Sequence, residues 1–141
     1  MNREPISVAL FSTLQSCYSW STASRKGQIW SSGAPQPAMY LIAWAESDHQ
    51  DDMALTKYTL KYMCLVYFQI DTDPSSPCAE TQMNVILAAI EAVLGIPGGE
   101  RNNLGISNVI NAWIDGELMK DTGILDSQCA IVIPISVLCG I

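Results

Sequence analysis

The chain is short of charge, short of base and nearly without histidine. Only 15% of its 141 residues are Asp, Glu, Lys or Arg, against ~25% in an ordinary soluble domain. Seven Lys and Arg face fourteen Asp and Glu, giving a formal net charge of −7. The basic residues are scattered, with only Arg25 and Lys26 adjacent. A basic patch for grasping phosphates is therefore excluded, and ordinary nucleic-acid binding with it. His49 is the one histidine, so imidazole catalysis has a single candidate, in the polar stretch "SDHQDDM" that reads as an exposed loop. No CxxC and no Cys/His cluster is present, which excludes the usual zinc sites. No uninterrupted apolar run approaches the ~20 residues of a membrane-spanning helix, and "MNREPIS" lacks the basic-then-apolar pattern of a signal peptide. The expectation is a soluble, non-secreted protein with no membrane partner.

What is present is apolar. Half of the chain (49%) is hydrophobic, and a chain so poor in charge leaves apolar surface to be buried against a partner or against copies of itself. The length suits one domain, residues 1–141, burying roughly two-thirds of the surface of its unfolded form. Cys17, Cys64, Cys78, Cys129 and Cys139 are odd in number and widely spaced. Four lie in apolar runs, which predicts reduced thiols acting as small hydrophobes in a protein made in a cytoplasm.

Ile6, Leu10, Leu14 and Cys17 recur at helical spacing and predict a helix over 3–18, capped by Asn2 with Pro5 in its first turn. "STASRKG" reads as loop, "QIWSS" as a short strand, "AMYLIAWAE" (38–46) as a strand apolar on both faces, and 47–53 as an acidic connection. Residues 54–70 form the longest strand candidate, with unbroken apolar even positions from Tyr58 to Ile70. At ~3.3 Å per residue it spans on the order of 50 Å, so part of it should project as an arm. Met83, Ile86, Leu87, Ile90, Val93 and Leu94 form a second helical stripe, with Ser76 as cap, Pro77 in the first turn and Gly95 closing it. Two strands follow, 104–118 and 128–138. Pro134 places the last one at an edge or on a bulge. The fold class is α+β: a mainly antiparallel sheet of four to five strands with two helices packed on one face.

The motifs that could carry chemistry are weak. "GIPGGERNN" lacks the GK[ST] of a phosphate loop and follows a helix, the wrong order. "DHQDD" lacks the glycine and closing glutamate of a calcium loop. In "NAWIDGELMKDTG", Asp115 and Glu117 stand two apart on a strand, a spacing that would permit a glycosidase pair. Ile110, Ala112, Ile114 and Leu118 fill the opposite, core-facing positions, so the acids read as the wet side. No enzyme, cofactor or metal is expected.

"MNREPISVALFSTL", "TASRKGQIWS", "QPAMYLIAWAE" and "LGISNVINAWIDGELMKDTGILDSQCAIVIPISVL" together resemble the tail terminator (tail completion) proteins of long-tailed bacteriophages. The C-terminal third is the most specific, with its "AWIDG" strand, "DxGxL" turn and final "IVIPI" strand. It departs from the pattern at Gly105-Ile106, where Gly-Gly is usual, and at Asn111, where His is common. The resemblance implies a fold similar to the lambda tail terminator and a homohexameric ring that ends polymerisation of the tail tube. Such a ring sits at the virion neck, joins the tube protein to the head connector or stopper, and passes DNA without binding it specifically. In that frame Asp115 and Glu117 would line an acidic channel that does not hold phosphate; an ordinary exterior face is the alternative placement. Residues 46–58 would form a protruding hairpin making contacts through Asp48, Asp51, Asp52 and Lys57. The rival readings are another neck component, such as a head completion protein, and a small cytoplasmic enzyme or binding domain with a pocket near Trp30, Trp44 and Trp113.

Overall fold

The structure is a computed structural model that describes residues 1–50 and 56–140, without the side chains of Trp30 and Gln50. In chain order the elements are helix α1 (Glu4–Ser16), strand β1 (Thr22–Ser24), a 3-10 turn (Trp30–Ser32), strands β2 (Ala38–Gln50) and β3 (Thr56–Gln69), helix α2 (Ala79–Ala92), and strands β4 (Val109–Ile114), β5 (Met119–Asp121) and β6 (Gln128–Gly140). The sheet order is β1-β2-β3-β6-β4, with β5 pairing β6 beyond the end of β4. Of the described strand pairs β1–β2 alone is parallel. The fold is α+β, two helices and a mostly antiparallel six-stranded sheet curled into a half-barrel.

Period-two burial along the long strands builds the core. Leu60, Tyr62, Cys64, Val66 and Phe68 of β3 pair in register with Val137, Ile135, Ile133, Ile131 and Cys129 of β6, and all ten are buried. Paired antiparallel residues point to the same face, so this face is one continuous apolar surface. Both helices cover it. α1 contributes Ile6, Leu10 and Leu14, spaced by one helical turn, and α2 contributes Met83, Ile86, Leu87 and Ile90. Ser7 sits in the same stripe because its hydroxyl meets the Tyr62 hydroxyl at 2.7 Å, which satisfies two buried polar groups at once.

The C-terminal end of each helix is closed by a side chain from the segment that follows it. The Trp20 indole N–H donates to the Leu14 carbonyl at 3.0 Å, and the Asn102 amide donates to the Val93 carbonyl at 2.7 Å. At the start of α1, Asn2 accepts the Glu4 N–H at 3.2 Å. Expected boundaries shift at α2: Cys78 holds the cap position without a side-chain bond, so Ser76 and Pro77 lie before the helix rather than in it. Val93, not Gly95, ends it.

Several further expectations are corrected. "QIWSS" is no strand; its residues enter the 3-10 turn, while Thr22–Ser24 of the expected loop form β1 beside Ala38–Tyr40. Residues 47–50 belong to β2, since Ser47, Asp48, His49 and Gln50 pair with Thr59, Tyr58, Lys57 and Thr56. The strand expected over 104–118 is confined to Val109–Ile114; a turn at Gly116, whose φ of 117° only glycine adopts freely, follows it, and a further strand, β5, begins beyond the expected range at Met119. A register shift between Val109 and Asn111 also changes the phase, so Ile110 joins the side of Trp113 rather than the core. Pro134 lies in a central strand, not at an edge. Its carbonyl accepts the Asp115 N–H at 2.9 Å, so its missing N–H falls toward the gap where β4 has ended and β5 has not begun.

Candidate assembly surface

Among the described residues, no helix or strand covers the face of the sheet opposite the helices. Ile42 of β2, Met63, Leu65 and Tyr67 of β3, and Val132, Pro134 and Leu138 of β6 all lie there, half-buried. One end is closed: the loop after β1 crosses it, so a Cβ on Gly27 would meet Ile42 Cδ1 at 2.5 Å, and Tyr40 is buried against Tyr67 with ring centroids 5.9 Å apart. The rest is an apolar surface of the kind the low charge content implies.

A polar row crosses this face. Trp113 pairs with Ser136, Ser136 with Lys61, and Lys61 with Ala45 beside the bulged Trp44. The Lys61 ammonium lies 6.0 Å from the Trp44 ring centroid, within cation–π range. Trp44 is half exposed. It therefore stands three strands from Trp113 and shares no cleft with it; the Trp30 side chain lies outside the described residues.

Asp115 joins the row from the end of β4. Its carboxylate accepts the hydroxyl hydrogen of Ser136 at 2.8 Å, and Ser136 itself is buried. Glu117 is exposed beyond Gly116. The two acids are thus split by a turn rather than set side by side on a strand. Asp48 and Lys57 are exposed on β2 and β3. Asp51 and Asp52 fall outside the described residues. β6 flanks β3 as far as the Lys57–Gly140 pair, so the stem of the long hairpin is three strands wide up to that level.

Arg3 ties this stem to α1. Its Nε and Nη2 reach the two Glu46 oxygens at 2.6 and 2.8 Å, and the guanidinium holds the Glu46 carboxyl below the usual carboxylate range. One residue on, Glu4 takes a similar fork from Arg25, at 2.6 and 3.2 Å.

Two polar clusters had no sequence signal. Asn111 is buried and its Oδ1 accepts the N–H of Asn102 at 3.0 Å. A Cβ on Gly95 would collide with that same oxygen, so this glycine admits the asparagine rather than ending a helix. The second cluster is a cleft lined by Ser31, Gln36, Gln69, Gln82 and Gln128, in which Gln36 and Gln128 bond to each other. A glutamine or asparagine reads from sequence as surface even within a strand, and only tertiary packing turns it inward.

His49 is exposed, its Nε2 3.2 Å from the Thr59 hydroxyl. Among the described residues no group of three His, Cys, Asp or Glu is placed to hold a metal, and no helix is long and apolar enough to cross a membrane.

No protein-family profile matches the chain, and no curated protein matches it. Solved structures do. One is a chain from the "Virion of native gene transfer agent (GTA) particle", at a TM-score of 0.60 and 10% sequence identity, covering 96% of this chain and 94% of that one. At such low identity the likeness shows a shared fold, end to end.

Proposed function

We propose that the protein is a structural component of a phage-like virion, and within it a tail terminator. It forms a ring on the head-proximal end of the tail tube, ends tube polymerisation and offers a joining surface to the head connector or stopper. The observation that carries the reading is the end-to-end fold shared with a chain of a gene transfer agent virion, over 96% of this molecule and 94% of the other. The sequence resemblance to tail terminators points the same way, and the uncovered apolar sheet face gives assembly something to bury. In the ring, Asp115 and Glu117 face the channel and keep it from holding DNA phosphates. Asp48 and Lys57, on the two strands of the long hairpin, reach a neighbour or the tube through screened, salt-sensitive contacts.

The test is tube polymerisation. Purified protein added to growing tubes of the cognate tail tube protein should cap one end and shorten the length distribution in electron micrographs. Tubes that grow unchanged while the protein binds portal complexes would move it to the stopper position instead.

A further inference from the structure

The cleft between the loop before β2 and the first turns of α2 encloses about 440 Å³, within the usual range for a small ligand. Its polar lining is Ser31, Gln36, Gln69, Gln82 and Gln128, and none of its described lining residues is charged. Its neighbours differ. The cleft at the start of α2 carries Asp71, Asp73 and Glu80, and those around the loop after α2 carry Glu91 or Arg101.

Hydrogen-bond accounting shows what this lining has left to offer. Gln128 Nε2 lies 3.1 Å from the Phe68 carbonyl, 3.0 Å from the Cys129 carbonyl and 3.1 Å from Gln36 Oε1, so its N–H groups are spent. Carbonyls only accept, which fixes the direction of this amide, and Gln36 follows by donating to Gln128 Oε1. A carboxamide holds two N–H donors and two lone pairs on its oxygen. Gln36 therefore keeps one donor and one acceptor, and it is half-buried at the cleft. The side chains of Ser31, Gln69 and Gln82 line the same space and make no hydrogen bond to the protein among the described residues. Such a lining selects by charge and by pattern. An ion entering it loses hydration with no opposite charge to meet it, whereas a neutral group carrying donors and acceptors together matches it. A sugar meets that requirement but gains from an aromatic face, and Phe68, the one described aromatic side chain lining the cleft, is 1% exposed. A free amino acid brings an ammonium and a carboxylate; an amide within a polypeptide brings neither.

We propose that this cleft binds a carboxamide, the Asn or Gln side chain of another polypeptide, with Gln36, Gln69 and Gln82 as its hydrogen-bonding partners. The incoming amide extends the Gln36–Gln128 pair to a third member. No formal charge takes part, so the contact is insensitive to salt, unlike those of the hairpin, and it stands whether or not the chain forms a ring.

A nitrogen–proton NMR titration of the whole protein tests it with N-acetylglutamine N-methylamide, the isosteric N-acetylglutamate N-methylamide, free glutamine and maltose. The first probe should move the side-chain amide signals of Gln36, Gln69 and Gln82 saturably, and equally at low and high salt. The other three should leave those signals in place. Gln82→Ala, on a helix where alanine is well tolerated, should weaken binding of the first probe roughly two- to tenfold, the worth of one neutral hydrogen bond. Where that change disturbs the rest of the spectrum, Gln69→Ala replaces it. Absence of a saturable shift with the first probe would overturn the proposal. So would equal shifts with the charged analogue, free glutamine or maltose, a loss of binding at high salt, or a variant that binds as wild type does.

Discussion

The side-chain amides of Gln36 and Gln128 face each other and exchange two hydrogen bonds, Gln36 Nε2 to Gln128 Oε1 at 3.0 Å and Gln128 Nε2 to Gln36 Oε1 at 3.1 Å. Gln128 also lies 3.1 Å from the Phe68 carbonyl and is 4% exposed. The pair joins the loop before β2 to the start of β6, 92 residues apart in sequence.

Replacing Gln128 with Leu leaves the Phe68 carbonyl and the Gln36 amide without this partner. Burying unsatisfied polar groups costs roughly 1–3 kcal/mol. The urea midpoint should fall accordingly with an unchanged slope. A midpoint equal to wild type would show that the amide pair adds nothing.

Gly95→Ala should destabilise by roughly 1–3 kcal/mol, the usual cost of forcing extra volume into a packed site, because the new methyl meets Asn111 Oδ1 and the Asn102 backbone N. Adding Asn111→Ala should recover part of that loss relative to the sum of the two single changes, since the colliding oxygen is gone. Strict additivity of the two would contradict the packing described.

Glu46 should titrate low. The Arg3 guanidinium, through its hydrogen bonds first and its charge second, depresses a carboxyl whose ordinary value is near 4.5. Because the folded value is the lower one, the contribution of the pair is present above the unfolded carboxylate range and fades as pH falls through the folded value. Arg3→Gln should raise the Glu46 midpoint toward 4.5 in an NMR titration. An unmoved midpoint would mean that the fork does not form in solution.

Thiol reactivity should single out Cys78. It is exposed, and the Thr81 hydroxyl 3.3 Å away lowers its pKa, while burial raises that of Cys64, Cys129 and Cys139. The thiolate is the reactive form, so a disulfide reagent should show one fast phase that Cys78→Ser removes. Reducing agent should leave the melting temperature unchanged. A drop of several degrees on reduction would reveal a disulfide.

The elements that could be read from the sequence are those whose side chains obey one period throughout. Even positions of β3 and odd positions of β6 alternate without a break, and Ile6, Leu10 and Leu14 keep a helical step, so the sheet core and α1 were visible. Elements defined by partners were not. Thr22–Ser24 has no pattern and becomes a strand only because Ala38–Tyr40 lies beside it. The stretch 104–118 misled because the bulge after Val109 reverses the alternation and Gly116 then breaks the strand. A glycine within a strand pattern is the one signal that could have found that break. At the surface, the acidic pair was legible as acids but not as geometry: Asp115 is fixed by Ser136, twenty-one residues away in sequence, and Glu117 leaves by the turn. Asn111 and Gln128 were invisible as buried groups, since nothing in their local sequence separates them from surface amides.

The central claim is that copies of this chain close a ring at the head-proximal end of a tail tube. Symmetry-resolved electron cryo-microscopy of virions carrying a labelled copy tests it most directly. The account predicts a closed ring of labelled density at the neck, with Asp115 toward the channel. A single isolated copy at the neck, or label confined to another part of the particle, would contradict it.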